Sequence, residues 1–200
     1  LPPDVGPKSP WWHRYKLYAD SCRRLSWLNT DCEHICRVAV LGQTDSLPWR
    51  SAKVLFQNQI DFNYISDFEL KNQCRVDEDG IRIANMKYDM LVVEEEPLQN
   101  VDAQFKILNS SNRIVNYDHS SGQNEFLTAL KEKVQRDFYV NPVVENLRVR
   151  HIIKNNIDYC FLFNECSEPI QFEFITNIKG NSYLMDQFTG EIAPFDIGAV

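Results

Sequence analysis

The sequence predicts an α/β fold: a parallel β-sheet with flanking helices, followed by a small antiparallel β-domain. Three observations carry this expectation. The apolar run Val38-Ala39-Val40-Leu41 and the near-continuous run Tyr88 to Val93 have the hydrophobicity of strands buried on both faces. Segments with helical spacing stand between the strand-like runs, as a crossover topology requires. Beyond Tyr139-Val-Asn-Pro142 the helical period vanishes, and alternating strands follow one another directly.

Taken in order, residues 1–10 contain Pro2, Pro3, Pro7 and Pro10 and read as an extended lead-in. Trp11, Tyr15, Tyr18, Cys22 and Leu25 then recur as the stripe of an amphipathic helix, with Ser9-Pro10 at its start. Such a stripe is more often core than a sugar-stacking surface. The central strand, Arg37 to Leu41, enters the polar loop Gly42 to Leu47, and a helix opens at Pro48. Trp49, Ala52, Phe56 and Ile60 are expected on its buried face. Phe62-Asn-Tyr-Ile-Ser66 alternates as the second strand, and Asp67 is placed to cap a short helix through Lys71. Asp79-Gly80, between two short alternating runs, signals a hairpin. Tyr88 to Val93 is the third parallel strand. Leu98, Val101, Phe105 and Leu108 mark a helix opening at Pro97, and Arg113 to Tyr117 a fourth strand. Phe126, Leu130, Val134 and Phe138 mark the last helix. The remainder reads as about five antiparallel strands, with Ile157, Tyr159, Phe161 and Phe163 alternating along one and Ile170, Phe172 and Phe174 along the next. The expected organisation is a lead-in and helix over 1–35, an α/β domain over 36–142 and a β-domain over 143–200.

A net charge of −7 argues against nucleic acid or an anionic membrane surface as partner, since either needs clustered Lys and Arg. No apolar stretch approaches the ~20 residues that cross a bilayer. Leu1 is not a natural start, so the chain reads as a piece of a longer one. Six cysteines are scattered along it. Cys32-Glu-His-Ile-Cys36 has the flavour of a metal site but lacks the second pair of ligands that zinc demands, so packed thiols are the simpler reading.

Ligands of parallel α/β sheets sit beyond the carboxyl ends of the strands, which makes Gly42-Gln-Thr-Asp-Ser46 the first place to look. With one glycine and no lysine it is neither a phosphate loop nor a dinucleotide fingerprint. Asp45 in that loop, Glu94-Glu95-Glu96 after the third strand and His119 after the fourth make a candidate acid–base set. The three glutamates also suit the first turn of a helix, which welcomes negative charge. Trp11, Trp12 and Trp49 are a candidate carbohydrate surface. No cofactor is expected.

Several segments together resemble the region after the catalytic barrel of large bacterial glycoside hydrolases of the α-L-rhamnosidase-like type. They are Pro2-Pro3-Asp4, Ser9-Pro10-Trp11-Trp12, Tyr15-Lys16, Arg24-Leu25-Ser26-Trp27-Leu28, Arg37 to Leu41, Tyr88 to Val93, Arg150-His151, Asp158 to Asn164, and Asp186 with Thr189-Gly190-Glu191. The resemblance implies a last barrel helix within 1–30 and a flavodoxin-like, class I glutamine-amidotransferase-like α/β domain over 36–140, followed by a β-sandwich. It places the catalytic carboxylates in an upstream barrel of the same polypeptide. It implies a bacterial parent exported to the periplasm or beyond. No Gly-x-Cys-x-Gly elbow follows Val93, so acyl transfer is not expected. A non-catalytic structural or assembly module and a small hydrolase using the strand-end loops are therefore the two functional expectations. Without its barrel, the helix from Trp11 is expected to fold back on the α/β half or to drive self-association.

Overall fold

The computed structural model describes residues 6–43, 46–94, 102–120 and 122–195. Helix α1 (Trp12–Asn29) leads into the short strand β1 (Glu33–His34). The central strand β2 (Val38–Gly42) is buried along its whole length. It connects through α2 (Trp49–Gln57) to β3 (Phe62–Ser66), which pairs parallel beside it. After α3 (Asp67–Asn72), the antiparallel meander β4 (Arg75–Asp77), β5 (Gly80–Ile83) and β6 (Met86–Tyr88) returns the chain to β7 (Met90–Val93). Strand β7 lies parallel to β2 on its other side. Helix α4 (Asp102–Ser110) precedes β8 (Ile114–Asn116), which pairs parallel with β7, and α5 (Gln123–Lys133) follows. The sheet order is β3-β2-β7-β8. Its core is built from the β-branched and leucine positions the sequence marks, with Ala39, Val40, Leu91 and Val92 removed from solvent against Leu55, Leu108 and Leu130 of the flanking helices.

The hairpin turn at Asp79-Gly80 forms as expected: Asp77 and Gly80 face each other across β4 and β5. Gly80 has φ +127°, and a Cβ there would lie 2.2 Å from the Tyr88 carbonyl oxygen, so only glycine fits. Tyr88 to Val93, expected as one strand, is two. At Asp89 the chain changes from the antiparallel β6 to the parallel β7. The Arg37 carbonyl fixes this bend by accepting from the backbone N–H groups of both Asp89 and Met90, at 2.8 and 3.2 Å. The cap of α3 also moves by one residue. The Ser66 hydroxyl accepts from Glu69 N–H, and the Glu69 carboxylate accepts from Ser66 N–H, which is a complete capping box.

Helix α2 is rotated from the expected phase. Ser51, Ala52, Val54 and Leu55 face the core, whereas Trp49 and Phe56 are exposed. Phe138, expected to close the last helix, instead opens the strand β9 (Phe138–Asn141).

Beyond α5 the described strands form separate ladders. The long hairpin β10 (Leu147–Lys154) and β11 (Ile157–Asn164) pairs in full register and takes β1 along the free edge of β10. Strand β12 (Glu173–Thr176) pairs with β9, and β13 (Tyr183–Met185) with β14 (Ile192–Pro194). Phe138, Val140, Leu147 and Val149 form a second, smaller core, joined by Phe172 and Phe174.

The stripe of α1 is not core. Trp11, Trp12, Tyr15 and Tyr18 are 40, 39, 37 and 64% exposed, and only Ser21 and Leu28 of this helix are buried. Among the described residues, the long-range hydrogen bonds between α1 with its C-cap and the rest of the chain run to the antiparallel strands. The Arg24 guanidinium of this helix donates to the carbonyls of Gln187, Phe188 and Thr189 in the β13–β14 turn, at 3.0, 3.0 and 3.1 Å. At its far end, Lys154 of β10 donates to the Thr30 carbonyl and sits 4.8 Å from the Trp27 ring.

Candidate functional site

The strand order reverses between β2 and β7, so the crevice beyond their carboxyl ends is where this fold class places a ligand. The carboxylate of Glu94, the residue after β7, is already committed there. It accepts from the backbone N–H of Ser51 at 2.7 Å and lies 3.7 Å from the Arg50 guanidinium, with 5% of its side chain exposed. Ser51 is the third residue of α2, so Glu94 neutralises an otherwise orphaned donor and the positive end of the helix. An anionic ligand at that helix start would have to displace it. The phenol of Tyr64, beside the same crevice, is pushed up by burial and by the nearby Glu94 charge. Gln43 and Ser46 exchange backbone hydrogen bonds at 2.9 and 3.3 Å, which closes the loop after β2 into a tight bridge.

His119 follows β8 on an exposed loop and is not brought to Glu94 by any hydrogen bond or ion pair among the described residues. Asp45, Glu95 and Glu96 lie outside the described residues, as does the expected helix opening at Pro97. Trp49 is exposed at the start of α2, with the Arg50 guanidinium 5.2 Å from its ring. Trp12 stacks on Tyr15 at 5.0 Å and 9°, and Trp11 tilts against the same Tyr15 ring at 5.8 Å. These two tryptophans thus form one aromatic surface on α1.

The Cys32 thiol donates to the Asn29 carbonyl at 3.5 Å and the Cys36 thiol to the Val38 carbonyl at 3.3 Å. Burial pushes the Cys36 thiol up to about 12 and the Cys160 thiol likewise to about 12, which makes both inert packing groups. His34, between the first pair, turns instead to Asp61, with Nε2 at 2.6 Å from the carboxylate. No group of three or more metal-ligating side chains occurs among the described residues.

Among the described residues, a charged cluster lies at the opposite end of the sheet, beside a pocket of roughly 410 Å3 that includes open solvent. Arg37, at the entry to β2, holds Asp89 at 3.1 Å and Asp137 at 3.6 Å. Asp137 in turn faces His151 Nδ1 of β10 at 3.3 Å, and Asp158 of β11 faces His151 Nε2 at 2.8 Å. Hydrogen bonding to His151 is the main influence on Asp137 and, with Arg37, holds its carboxyl below the usual range despite burial. Sequence spacing does not reveal this cluster, because its members are drawn from β2, the approach to β7, the approach to β9 and the β10–β11 hairpin. One signal was available. The turn at Asn155-Asn156 sets His151 opposite Cys160, which brings Asp158 within one pleat of the imidazole.

The described residues therefore define a mixed α/β chain with small parallel and antiparallel sheets. No family model and no curated protein matches the sequence. Among solved structures, the fold is similar to that of a rhamnosidase from Novosphingobium sp. PP1Y, with a TM-score of 0.64, 12% identity and 95% of this chain aligned. The likeness is one of fold, and the chain spans 23% of the length of that enzyme.

Proposed function

We propose that the chain is a non-catalytic structural or assembly module of a carbohydrate-active glycoside hydrolase whose parent polypeptide is α-L-rhamnosidase-like. The observation that carries this reading is the fate of Glu94. At the position where a parallel α/β fold offers its ligand a helix N-terminus, this chain supplies its own buried carboxylate. The strand order β3-β2-β7-β8 supports a flavodoxin-like, amidotransferase-like sheet, since it is the order of the first strands of that class. The fold likeness to part of a much longer rhamnosidase supports a place within a larger polypeptide. On this reading the units are a helix within 1–35, the α/β domain over 36–142 and the β-domain over 143–200. The exposed aromatic stripe of α1 is then the face on which the catalytic part of the parent packs.

Tryptophan accessibility tests the assembly role. In the chain alone, Trp11, Trp12, Trp27 and Trp49 are quenched freely by iodide or acrylamide, as their exposures of 40, 39, 53 and 61% require. Within the parent polypeptide, Trp11 and Trp12, read through single-tryptophan variants, become protected while Trp49 stays accessible. Equal quenching of Trp11 and Trp12 in both contexts contradicts the role assigned to α1. An enzyme built on the strand-end loops is disfavoured by the same Glu94 geometry, because a carboxylate serving as a helix cap is not free to exchange protons with a substrate.

A further inference from the structure

The cluster around His151 has a feature that packing alone does not require. Both ring nitrogens of a side chain that is only 5% exposed face carboxylate oxygens, Asp137 at 3.3 Å and Asp158 at 2.8 Å. Ionised carboxylates only accept hydrogen bonds, so the two contacts are both satisfied only when the imidazole carries two protons. A neutral imidazole would aim a lone pair at one of the carboxylates. We propose that His151 is a proton-operated clamp that fastens the antiparallel β-strands to the parallel sheet, closed when the imidazole is doubly protonated and loosened when it is not.

The elements that meet at the clamp make this a seam. His151 stands on β10 and Asp158 on β11, while Asp137 immediately precedes β9. Asp137 also anchors β12, because its carbonyl accepts from the Thr176 hydroxyl at 2.7 Å and from Asn177 N–H at 3.3 Å. Across the seam, Asp137 reaches Arg37 at the start of β2, and Arg37 reaches Asp89 at the start of β7. The His151 carbonyl accepts from Ile35 N–H at 3.0 Å, next to the short pairing of β1 with β10. The charged groups facing the imidazole balance only when it is protonated. Asp89, Asp137 and Asp158 then meet Arg37 and His151, with Lys87 3.9 Å from Asp89 at the margin. Loss of the proton leaves Arg37 and the more distant Lys87 against three carboxylates. The other titratable groups around the site do not supply the missing charge. Cys160, opposite His151 in the ladder, and Cys36 remain thiols. Asp61 is engaged by His34, and Arg136 donates to the Asn58 carbonyl across the pocket at 3.3 Å. The Phe138 ring approaches the imidazole edge-on at 6.2 Å and excludes water from one side.

Burial by itself pulls the imidazole down, but the hydrogen bonds to Asp137 and Asp158 more than reverse this and hold it above its ordinary value of 6.5. The clamp's contribution to stability is therefore complete below 6.5 and is lost as pH rises through the folded value. Each unit of elevation corresponds to a tenfold preference for the closed seam (about 1.4 kcal/mol).

The test is an NMR titration of the whole chain from pH 5 to 9, combined with amide hydrogen exchange corrected for its intrinsic pH dependence. The clamp predicts that His151 titrates above 6.5 as a doubly protonated ring. It also predicts that protection of Ile35 and Asn177 amides falls across that transition, while Leu91 and Val92 in the parallel sheet hold theirs. His151→Gln, which keeps one donor and one acceptor but cannot titrate, removes the pH dependence. Asp158→Asn lowers the titration midpoint and serves where the first variant folds poorly. A midpoint at or below 6.5 in the native chain, or seam protection that does not change through the titration, overturns the proposal.

Discussion

Replacing Glu94 by alanine removes a carboxylate that does a structural task, and the structure sets the size of the loss. The Ser51 N–H it receives belongs to a residue with no exposed surface, so after truncation the donor is left buried without a partner. An orphaned buried donor costs about 1–3 kcal/mol. The charge at the first turn of α2 contributes a further ~0.3–1 kcal/mol. Desolvation of the carboxylate in the native protein works in the other direction and trims the sum, so Glu94→Ala is expected to cost about 2 kcal/mol. For a chain of this size that corresponds to a fall in melting temperature of roughly 4–8 °C. Glu94→Gln keeps an acceptor for Ser51 and loses only the charge, for a cost of about 0.5–1 kcal/mol. Urea denaturation monitored by circular dichroism at pH 7 separates the two variants. An alanine variant within about 0.5 kcal/mol of the native chain, or a glutamine variant as unstable as the alanine one, would refute the assignment of Glu94 as a helix cap.

Other positions yield equally direct expectations. Gly80→Ala must drive a Cβ into the Tyr88 carbonyl at 2.2 Å from a backbone with φ +127°, and a loss of at least about 2 kcal/mol in denaturant unfolding is expected. Ser66→Ala breaks the capping box of α3 and costs about 1 kcal/mol, seen in the same measurement. Arg24→Ala frees the carbonyls of the β13–β14 turn, so limited proteolysis should cut within Gln187–Thr189 several-fold faster while hydrogen exchange in β2 stays unchanged. Trp12→Ala leaves the chain's own stability within about 0.5 kcal/mol, because that ring is exposed and stacks on Tyr15 of the same exposed helix face.

What could be read from the sequence was what is local or periodic. Val38–Leu41 and Met90–Val93 announced themselves because a strand covered on both faces has no polar alternation to hide it. Asp79-Gly80 gave its hairpin because a left-handed turn position admits few residues. Phase and partnership were harder. Of the stripe Trp49, Ala52, Phe56 and Ile60, Ala52 and Ile60 are buried as expected, but Trp49 and Phe56 are exposed and Ser51, Val54 and Leu55 take the inward positions instead. The stripe of α1 was correct as a helix and misleading as core, because apolar periodicity shows that a face needs a partner and not which chain supplies it. Glu94 was visible as a candidate; only geometry could reveal that Ser51, forty-three positions earlier, claims it. The His151 cluster was invisible for the same reason, since charges paired across distant segments leave no pattern in one dimension.

The central proposal, that this chain is a non-catalytic module, is tested most directly by turnover. Purified chain is incubated at high enzyme concentration with a panel of aryl glycosides that includes α-L-rhamnosides, beside the parent polypeptide assayed in parallel. Glycosidic cleavage needs an acid and a second carboxylate held ~5–10 Å apart across the sugar. Glu94 is sequestered by Ser51, and no hydrogen bond or ion pair among the described residues brings His119 to it, so the chain is expected to release no aryl alcohol above the buffer blank, while the parent does. Release by the chain alone that disappears when Glu94, Glu95 and Glu96 are changed together to glutamine would contradict the account.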